Sequence, residues 1–348
     1  MSVLTLNCPM PVVVKDHVSL GHGSGGKLSA QLMRDIFLPA FRNSTLERLD
    51  DQAVLPVSNA RIAFTTDTFV VKPLFFPGGD IGSLAVHGTV NDLAMGGAKP
   101  LFLSAAFIIE EGFSMETLRQ VAASLGRAAA ECGVEIVTGD TKVVDKGCGD
   151  GVFINTSGLG VVPEGVYLSA SEARPGDAVI LSGFIGDHGI AILAEREGLE
   201  FDTTVESDSA ALHTLVADML GVTHSIHCLR DPTRGGVSSS LNEIAAQSRV
   251  GIFLDEESIP VRDEVRGACE MLGLDPLYVA NEGKLLAIVD PVEADRVVAA
   301  MRKNPLGRDA RRIGTVTASD PGWVTMRTTL GTTRIVDMLA GDQLPRIC

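Results

Sequence analysis

The sequence predicts an α+β protein made of two α/β domains, and three observations carry that prediction. The chain has 348 residues, which is long for one core. Strand-like and helical patterns alternate in both halves, which is typical of mixed α and β structure. Aromatic residues make up only 5% while glycines number 37, a composition that favours α/β structure with tight loops.

The predicted elements of the first half alternate along the chain. The helix predicted at 114–133 has the clearest limits, because Ser114 is a good N-cap and Gly133 a good C-terminal residue. A second helix, of small and apolar residues, is predicted at 80–97. Residues rich in β-branched and aromatic side chains predict strands at 61–71, 100–109, 134–144 and 151–162.

The second half follows a turn-rich polar segment, EGVYLSASEARPGD, and repeats the alternation. The predicted strands are 178–183, 251–261, 284–290, 323–330 and 333–339, and the predicted helices are 187–197, 240–248, 262–273 and 291–304. The sequence is therefore divided into an N-terminal segment with a glycine-rich loop (1–45), a first domain (46–165), a second domain (166–338) and an extended tail (339–348).

Composition excludes several classes of protein. The formal net charge of −15 disfavours nucleic acid and anionic lipid as partners. No apolar run approaches the ~20 residues of a membrane-spanning helix, and the first residues lack the pattern of a signal peptide. The cysteines have no metal-binding spacing, so we expect free thiols in the cytoplasm.

Acidic residues in apolar surroundings are the main indication of chemistry. Carboxylates are seldom buried unless they are paired or bound to a cation, and Mg²⁺ prefers carboxylate, water and phosphate oxygens. Any one of these residues could instead cap a helix or start a turn. They are Asp50 and Asp51 before a strand, Asp67 within a strand, Asp92 near a helix end, Asp140 beside Lys142 in a strand, and Asp231 before a glycine pair.

Three further features allow either a functional interpretation or one without a role in chemistry. The loop GHGSGGK has the glycines and the lysine, Lys27, that hold phosphate, although Leu28 departs from the Walker A pattern. Glu282, in NEGK, is either a reachable base or a surface acid. Cys348 ends the sequence in PRIC, which is either accidental or a carrier thiol.

Several motifs together resemble the HypE family of hydrogenase maturation factors. They are HGSGGK, TTDTFVVKPLFFPGGDIGSLAVHGTVNDLAMGGAKP, EIVTGDTKVV, RDPTRGGV, NEGKLL and PRIC. The resemblance runs from about residue 22 to the end of the sequence. It places the chain among the relatives of aminoimidazole ribonucleotide synthetase, selenophosphate synthetase and thiamine-monophosphate kinase.

The resemblance implies an ATP-dependent carbamoyl dehydratase. In this family HypF carbamoylates the terminal cysteine, here Cys348, and ATP drives dehydration of the thiocarbamate to a thiocyanate. The cyano group then passes to iron held by HypC and HypD, for the [NiFe]-hydrogenase centre. The family also implies a homodimer in which the first-domain sheets close into a barrel. Extended, the segment from Gly341 to Cys348 spans at most ~25 Å, enough to enter a cleft and withdraw.

The resemblance also assigns roles to residues, with ATP and Mg²⁺ as cofactors. Lys142 and Glu282 correspond to proton-transfer groups, and Glu282 is expected to be an ordinary ionised carboxylate (pKa ~4.3). The Mg²⁺ ligands would be Asp51, Asp92 and Asp231. The nucleotide would be held by Gly25, Gly26, Lys27, Asp67 and Asp140.

Two alternatives stay open at this point. Another enzyme of the superfamily, such as a selenophosphate synthetase, is disfavoured because the glycine-rich loop contains no cysteine. A nucleotide-binding scaffold whose cysteine only docks a partner would differ from the enzyme in having no ATP turnover.

Overall fold

The computed structural model describes residues 26–37, 44–57, 60–198 and 205–339. In these ranges the α-helices are α1 (Lys27–Leu32), α2 (Ile81–Met95), α3 (Met115–Cys132), α4 (Asp187–Glu197), α5 (His213–Leu220), α6 (Gly236–Ser248), α7 (Asp263–Leu272) and α8 (Ala294–Met301). The strands are β1 (Ala53–Val57), β2 (Ala60–Phe69), β3 (Phe75–Phe76), β4 (Gly79–Asp80), β5 (Lys99–Glu110), β6 (Glu135–Val144), β7 (Val152–Val162), β8 (Ala178–Leu181), β9 (Ile226–Arg230), β10 (Gly251–Asp255), β11 (Leu286–Val289), β12 (Arg311–Thr317), β13 (Val324–Arg327) and β14 (Thr333–Ile335).

The first domain is a five-stranded sheet in the order β1-β2-β7-β5-β6, with α2 and α3 packed on one face. The caps of α3 are those predicted from the sequence. The Ser114 hydroxyl accepts a hydrogen bond from the Thr117 amide at 3.3 Å, and Gly133 takes the left-handed conformation with φ +67°. Local signals therefore fix this helix.

The other face of the first sheet carries apolar side chains that no helix of the described residues covers. Phe64 on β2 and Phe102 and Ile108 on β5 are between 41% and 45% exposed. Leu159 on β7 lies between Phe64 and Phe102 in the strand register. Asp140 and Lys142 on β6 pair with Ala106 and Ile108, so they belong to this same outward face.

The second domain is a seven-stranded sheet in the order β14-β13-β10-β12-β8-β11-β9. Helix α6 packs on β10 and β13, and α8 packs on β8 and β12. The two-domain α+β prediction is confirmed, but β9, β12 and α5 were not predicted. Strand β12 contains two arginines and a glycine, and its buried residues Ile313 and Val316 are covered only through pairing and packing with distant elements.

One buried apolar cluster contains residues of both domains. Leu93 and Met95 on α2 belong to the same buried cluster as Ile180 on β8 and Leu212 beside α5. This packing fixes the C-terminal part of α2 against the second domain. Among the described helices, none has the length and apolar character that crossing a bilayer requires.

Candidate active site

A cavity of about 490 Å³ lies where the two domains meet. The first domain contributes the end of β2 and one side of α2, and the second contributes the segment after β9, the first turns of α6, and Glu282. The acidic residues that line the cavity are Asp51, Asp67, Asp92, Asp231, Glu243 and Glu282. Five of these six were candidate site residues in the sequence, and Glu243 was not.

The carboxylates raise one another's pKa because they are buried together. Burial raises the pKa of Asp51 to about 8, although the Arg230 guanidinium opposes the shift. Burial raises the pKa of Asp231 to about 6. Burial, followed by the charges of Asp231, Asp67 and Asp51, holds the pKa of Asp92 well above its usual range. A cation in the cavity would therefore favour the ionised forms of these carboxyl groups.

One threonine hydroxyl and one glycine help to position Asp92 and Asp67, the carboxylates on α2 and β2. Thr65 donates to Asp92 Oδ2 at 2.7 Å from the inward face of β2. Gly88 on α2 faces Asp67 and Phe69, and a Cβ atom there would lie 2.9 Å from the Phe69 ring. Glycine at this position lets the helix approach the strand that carries Asp67.

Arg230 pairs with one acidic residue from each domain. Its Nε lies 3.1 Å from Asp51 Oδ1, its other side bonds to Glu243, and it donates to the Leu49 carbonyl. Its side chain is 14% exposed, so the pairs are shielded from solvent. Arg230 was missed as a site residue although it begins the RDPTRGG motif that identified Asp231. Its position directly before Asp231 in that motif could have indicated that Arg230 also belongs to the site.

Glu282 was expected to be an ordinary ionised carboxylate, and that expectation is wrong. The residue is only 8% exposed. Burial, and then the charges of Asp231, Asp67 and Asp208, raise its pKa well above the usual value. These groups come from distant parts of the chain, so the short NEGK motif could not reveal them.

Other candidate residues lie away from the cavity. Asp140 and Lys142 pair with each other at 3.2 Å on the outward face of β6, and both are largely exposed. Lys27 bonds to Asp337, and its amide donates to the Leu339 carbonyl at 2.9 Å. Gly26 packs so closely on Leu339 that a Cβ atom would lie 2.2 Å from its carbonyl oxygen. Gly25 and Cys348 lie outside the described residues.

The carboxylates fit a magnesium ion that arrives with other ligands. In the described part of the chain no three His, Cys, Asp or Glu side chains are grouped tightly enough to hold a metal by themselves. Mg²⁺ usually takes one or two carboxylates and fills its other positions with water and phosphate oxygens. The carboxyl groups of Asp51, Asp92 and Asp231 line one cavity and could supply the carboxylate ligands of such an ion.

The two domains match the family models of one class, the AIR synthase related proteins. The family model for their N-terminal domain matches residues 49–162, and the model for their C-terminal domain matches residues 174–326. Within that class the chain belongs to the HypE carbamoyl dehydratase family.

Relatives in sequence and structure place the chain in this family. It is 58% identical over 340 residues to carbamoyl dehydratase HypE of Cupriavidus necator, which covers 97% of each chain. It is similar to HypE in a crystal structure of a HypE–HypF complex, with 50% identity and a TM-score of 0.85 over 88% of this chain and 99% of the other. A HypE structure in complex with ATP has 50% identity and a TM-score of 0.81 over 95% of this chain and 100% of the other.

Proposed function

We propose that this protein uses ATP to dehydrate a carbamoyl group carried on the Cys348 thiol to a thiocyanate. The cyano group then serves as a ligand of the [NiFe]-hydrogenase iron. The observation that carries the proposal is the gathering of Glu282 with Asp51, Asp92 and Asp231 in one cavity, in a chain of the HypE family. A structure of a 50% identical relative in complex with ATP supports ATP as the co-substrate.

The cavity residues would divide into metal and nucleotide contacts. Asp51, Asp92 and Asp231 would hold Mg²⁺, which when bound neutralises charge on the triphosphate. Asp67 lines the same cavity and would contact the nucleotide, together with the loop Gly25–Gly26–Lys27. Lys27 would have to leave Asp337 to reach a phosphate. Their ion pair is partly exposed on both sides, so breaking it costs little.

The dehydration needs phosphorylation of the thiocarbamate oxygen and removal of two nitrogen protons, one in each of two steps. The thiocarbamate oxygen attacks the γ-phosphorus, the bond to ADP breaks, and one nitrogen proton leaves. Loss of the second nitrogen proton with cleavage of the C–O bond releases phosphate and leaves S–C≡N. Glu282, which lines the cavity, would take one of these nitrogen protons. Its raised pKa makes it a stronger base than a carboxylate in water once it is ionised.

Asp140 and Lys142 would act in the site of a second copy of the chain. They lie on the outward face of the first sheet, beside apolar side chains that no helix of the described chain covers. Pairing two such faces would bury this apolar surface and present Asp140 and Lys142 to the partner copy. We therefore propose a homodimer in which these residues contact the nucleotide or the carbamoyl group.

The partners follow from the same reaction. HypF would supply the carbamoyl group, and a complex between relatives named HypE and HypF supports this pairing. The HypC–HypD complex would accept the cyano group. Cytoplasmic reducing conditions suit a carrier thiol, and the four cysteines in the described ranges, Cys132, Cys148, Cys228 and Cys269, are all free.

Intact and peptide mass spectrometry tests the proposal. Incubation with HypF, carbamoyl phosphate and ATP should place a carbamoyl group, and then a cyano group, on the peptide that contains Cys348. Cys348→Ala should abolish both adducts, whereas the control Cys148→Ala, at an exposed cysteine, should keep them. A normal adduct yield in Cys348→Ala would refute the carrier. Carbamoylated protein that binds MgATP without turning it over would indicate the scaffold alternative.

A further inference from the structure

The main chain of Glu282 is fixed by side chains on both sides. Asp208 Oδ1 accepts a hydrogen bond from the Glu282 amide at 3.0 Å, and Asp208 Oδ2 lies 3.0 Å from Lys284 Nζ. On the other side, Asn91 Nδ2 donates to the Glu282 carbonyl at 3.3 Å. The next residue, Gly283, passes so near Asp208 that a Cβ atom would lie 1.7 Å from the Asp208 carbonyl oxygen. The loop therefore has little freedom to shift.

Asn91 connects the two domains through hydrogen bonds to main-chain groups. It lies on α2 of the first domain and is 1% exposed. Besides the Glu282 carbonyl, its Nδ2 donates to the Ala210 carbonyl at 3.0 Å, and its Oδ1 accepts from the Leu212 amide at 2.7 Å. All three partners belong to the second domain, so the side chain links α2 to the loop that carries Glu282.

The neighbour of Asn91 on the helix is Asp92, which lines the cavity. Successive helical residues point about 100° apart, so one turn of α2 presents Asp92 to the cavity and Asn91 to the second domain. Asn91 therefore couples the helix turn that carries Asp92 to the main chain of Glu282. Small misplacements of a reacting group reduce rates strongly.

We propose that Asn91 is a positioning residue that holds Glu282 at the reacting thiocarbamate. The proposal rests on the proposed role of Glu282 as the base. A buried asparagine that served only the fold would affect stability and leave the chemical step unchanged once the protein is folded. A positioning residue changes the chemical step and does so through Glu282.

The test uses full-length protein carbamoylated by HypF and measures a single turnover after MgATP is added. We expect Asn91→Ala to slow cyano formation by about 10- to 100-fold while the carbamoyl load is unchanged. The dissociation constant of MgATP, measured by calorimetry, should change by less than about threefold, because Asn91 is not among the described residues that line the cavity. Asn91→Ser provides a second, milder variant if the alanine variant does not fold.

A matched control is Asn242, a second buried asparagine whose amide donates to two main-chain carbonyls, those of Ser238 and Val336. Asn242→Ala should lower the melting temperature and leave the turnover rate unchanged. A normal rate in both Asn91 variants, or a loss of MgATP affinity as large as the loss of rate, would overturn the proposal.

The double variant Asn91→Ala with Glu282→Gln separates this inference from the proposed function. If Asn91 acts through Glu282, adding Asn91→Ala to Glu282→Gln should slow the remaining reaction no further. Additive losses would overturn the positioning role while leaving Glu282 as the base. A normal rate in Glu282→Gln alone would instead refute the base.

Discussion

The Thr65 hydroxyl donates a hydrogen bond to the carboxylate of Asp92, with 2.7 Å between Oγ1 and Oδ2. This contact joins the inward face of β2 to α2 and holds Asp92 in one orientation. Burial and three neighbouring carboxylates keep the pKa of Asp92 well above its usual range. A bound cation would therefore favour the charged form of this carboxyl group.

Replacing Asp92 tests this arrangement. We expect Asp92→Asn to weaken MgATP binding by roughly 10- to 100-fold, because one charged ligand contact is lost. The free energy of unfolding without nucleotide should stay equal or rise, because a buried carboxyl among like charges is removed. Calorimetry and urea unfolding measure the two effects. Asp295→Asn, at an exposed aspartate on α8, should change neither, and an unchanged MgATP affinity in Asp92→Asn would assign that residue to the fold.

Replacing Glu282 tests the chemical step. Glu282→Gln should still accept the carbamoyl group and bind MgATP, but cyano formation should slow by about 10²- to 10⁴-fold because the base is lost. Mass spectrometry should then find thiocarbamate accumulating on Cys348. Glu270→Gln, at an exposed glutamate, is the control. Dehydration at the normal rate in Glu282→Gln would place the base elsewhere, and Lys142 would be tested next.

The exposed apolar residues on the outward face of the first sheet lead us to predict a dimer. Ile108 is 45% exposed on β5, beside Lys142 in the register. Ile108→Glu should convert the dimer to a monomer in light scattering, because a charge would be buried in an apolar interface. The same variant should lose ATP-dependent dehydration if the partner copy supplies Asp140 and Lys142.

A control for the interface is Val292→Glu, at a valine 86% exposed in the turn before α8. It should leave both mass and activity unchanged. An Ile108→Glu protein that stays dimeric, or a wild-type protein that is monomeric at assay concentration, would contradict the proposed interface.

His188 should make stability depend on pH below neutrality. Burial lowers its pKa to about 4, and its Nδ1 lies 2.8 Å from the Ser207 hydroxyl. The unfolded chain binds a proton near pH 6.5 and the folded chain does not, so stability falls as pH drops from 6.5 towards 4. A pKa shift of this size lowers the free energy of unfolding by at most about 3 kcal/mol between pH 6.5 and pH 4.

The measurement is urea unfolding between pH 4.5 and 7, comparing wild type with His188→Asn, which preserves a polar partner for Ser207. The variant should lose part of the pH dependence, whereas His224→Asn, at an exposed histidine, should retain it. Identical pH profiles for wild type and His188→Asn would assign the acid sensitivity to other groups.

Local sequence determined the helices and strands whose positions are marked by residues within or beside them. Helix α3 begins at a serine cap and ends at a left-handed glycine, and both are set by neighbours in the chain. The positions of Asp67 in a strand and Asp92 in a helix were predicted for the same reason, since the apolar pattern around each is local. Strand β12 and helix α5 were missed because their burial depends on partners distant in sequence.

The tertiary structure alone decided which candidate residues meet. Burial and like charges raise the pKa of Glu282, and those charges come from residues outside its own short motif. The topology of the first sheet put Asp140 and Lys142 on the face opposite the helices, away from the cavity. The sequence identified nearly all the acidic residues that line the cavity as candidate site residues. Packing of the two domains brought them close enough to raise the pKa of Asp92, since charge interactions depend on separation in space and on exclusion of water.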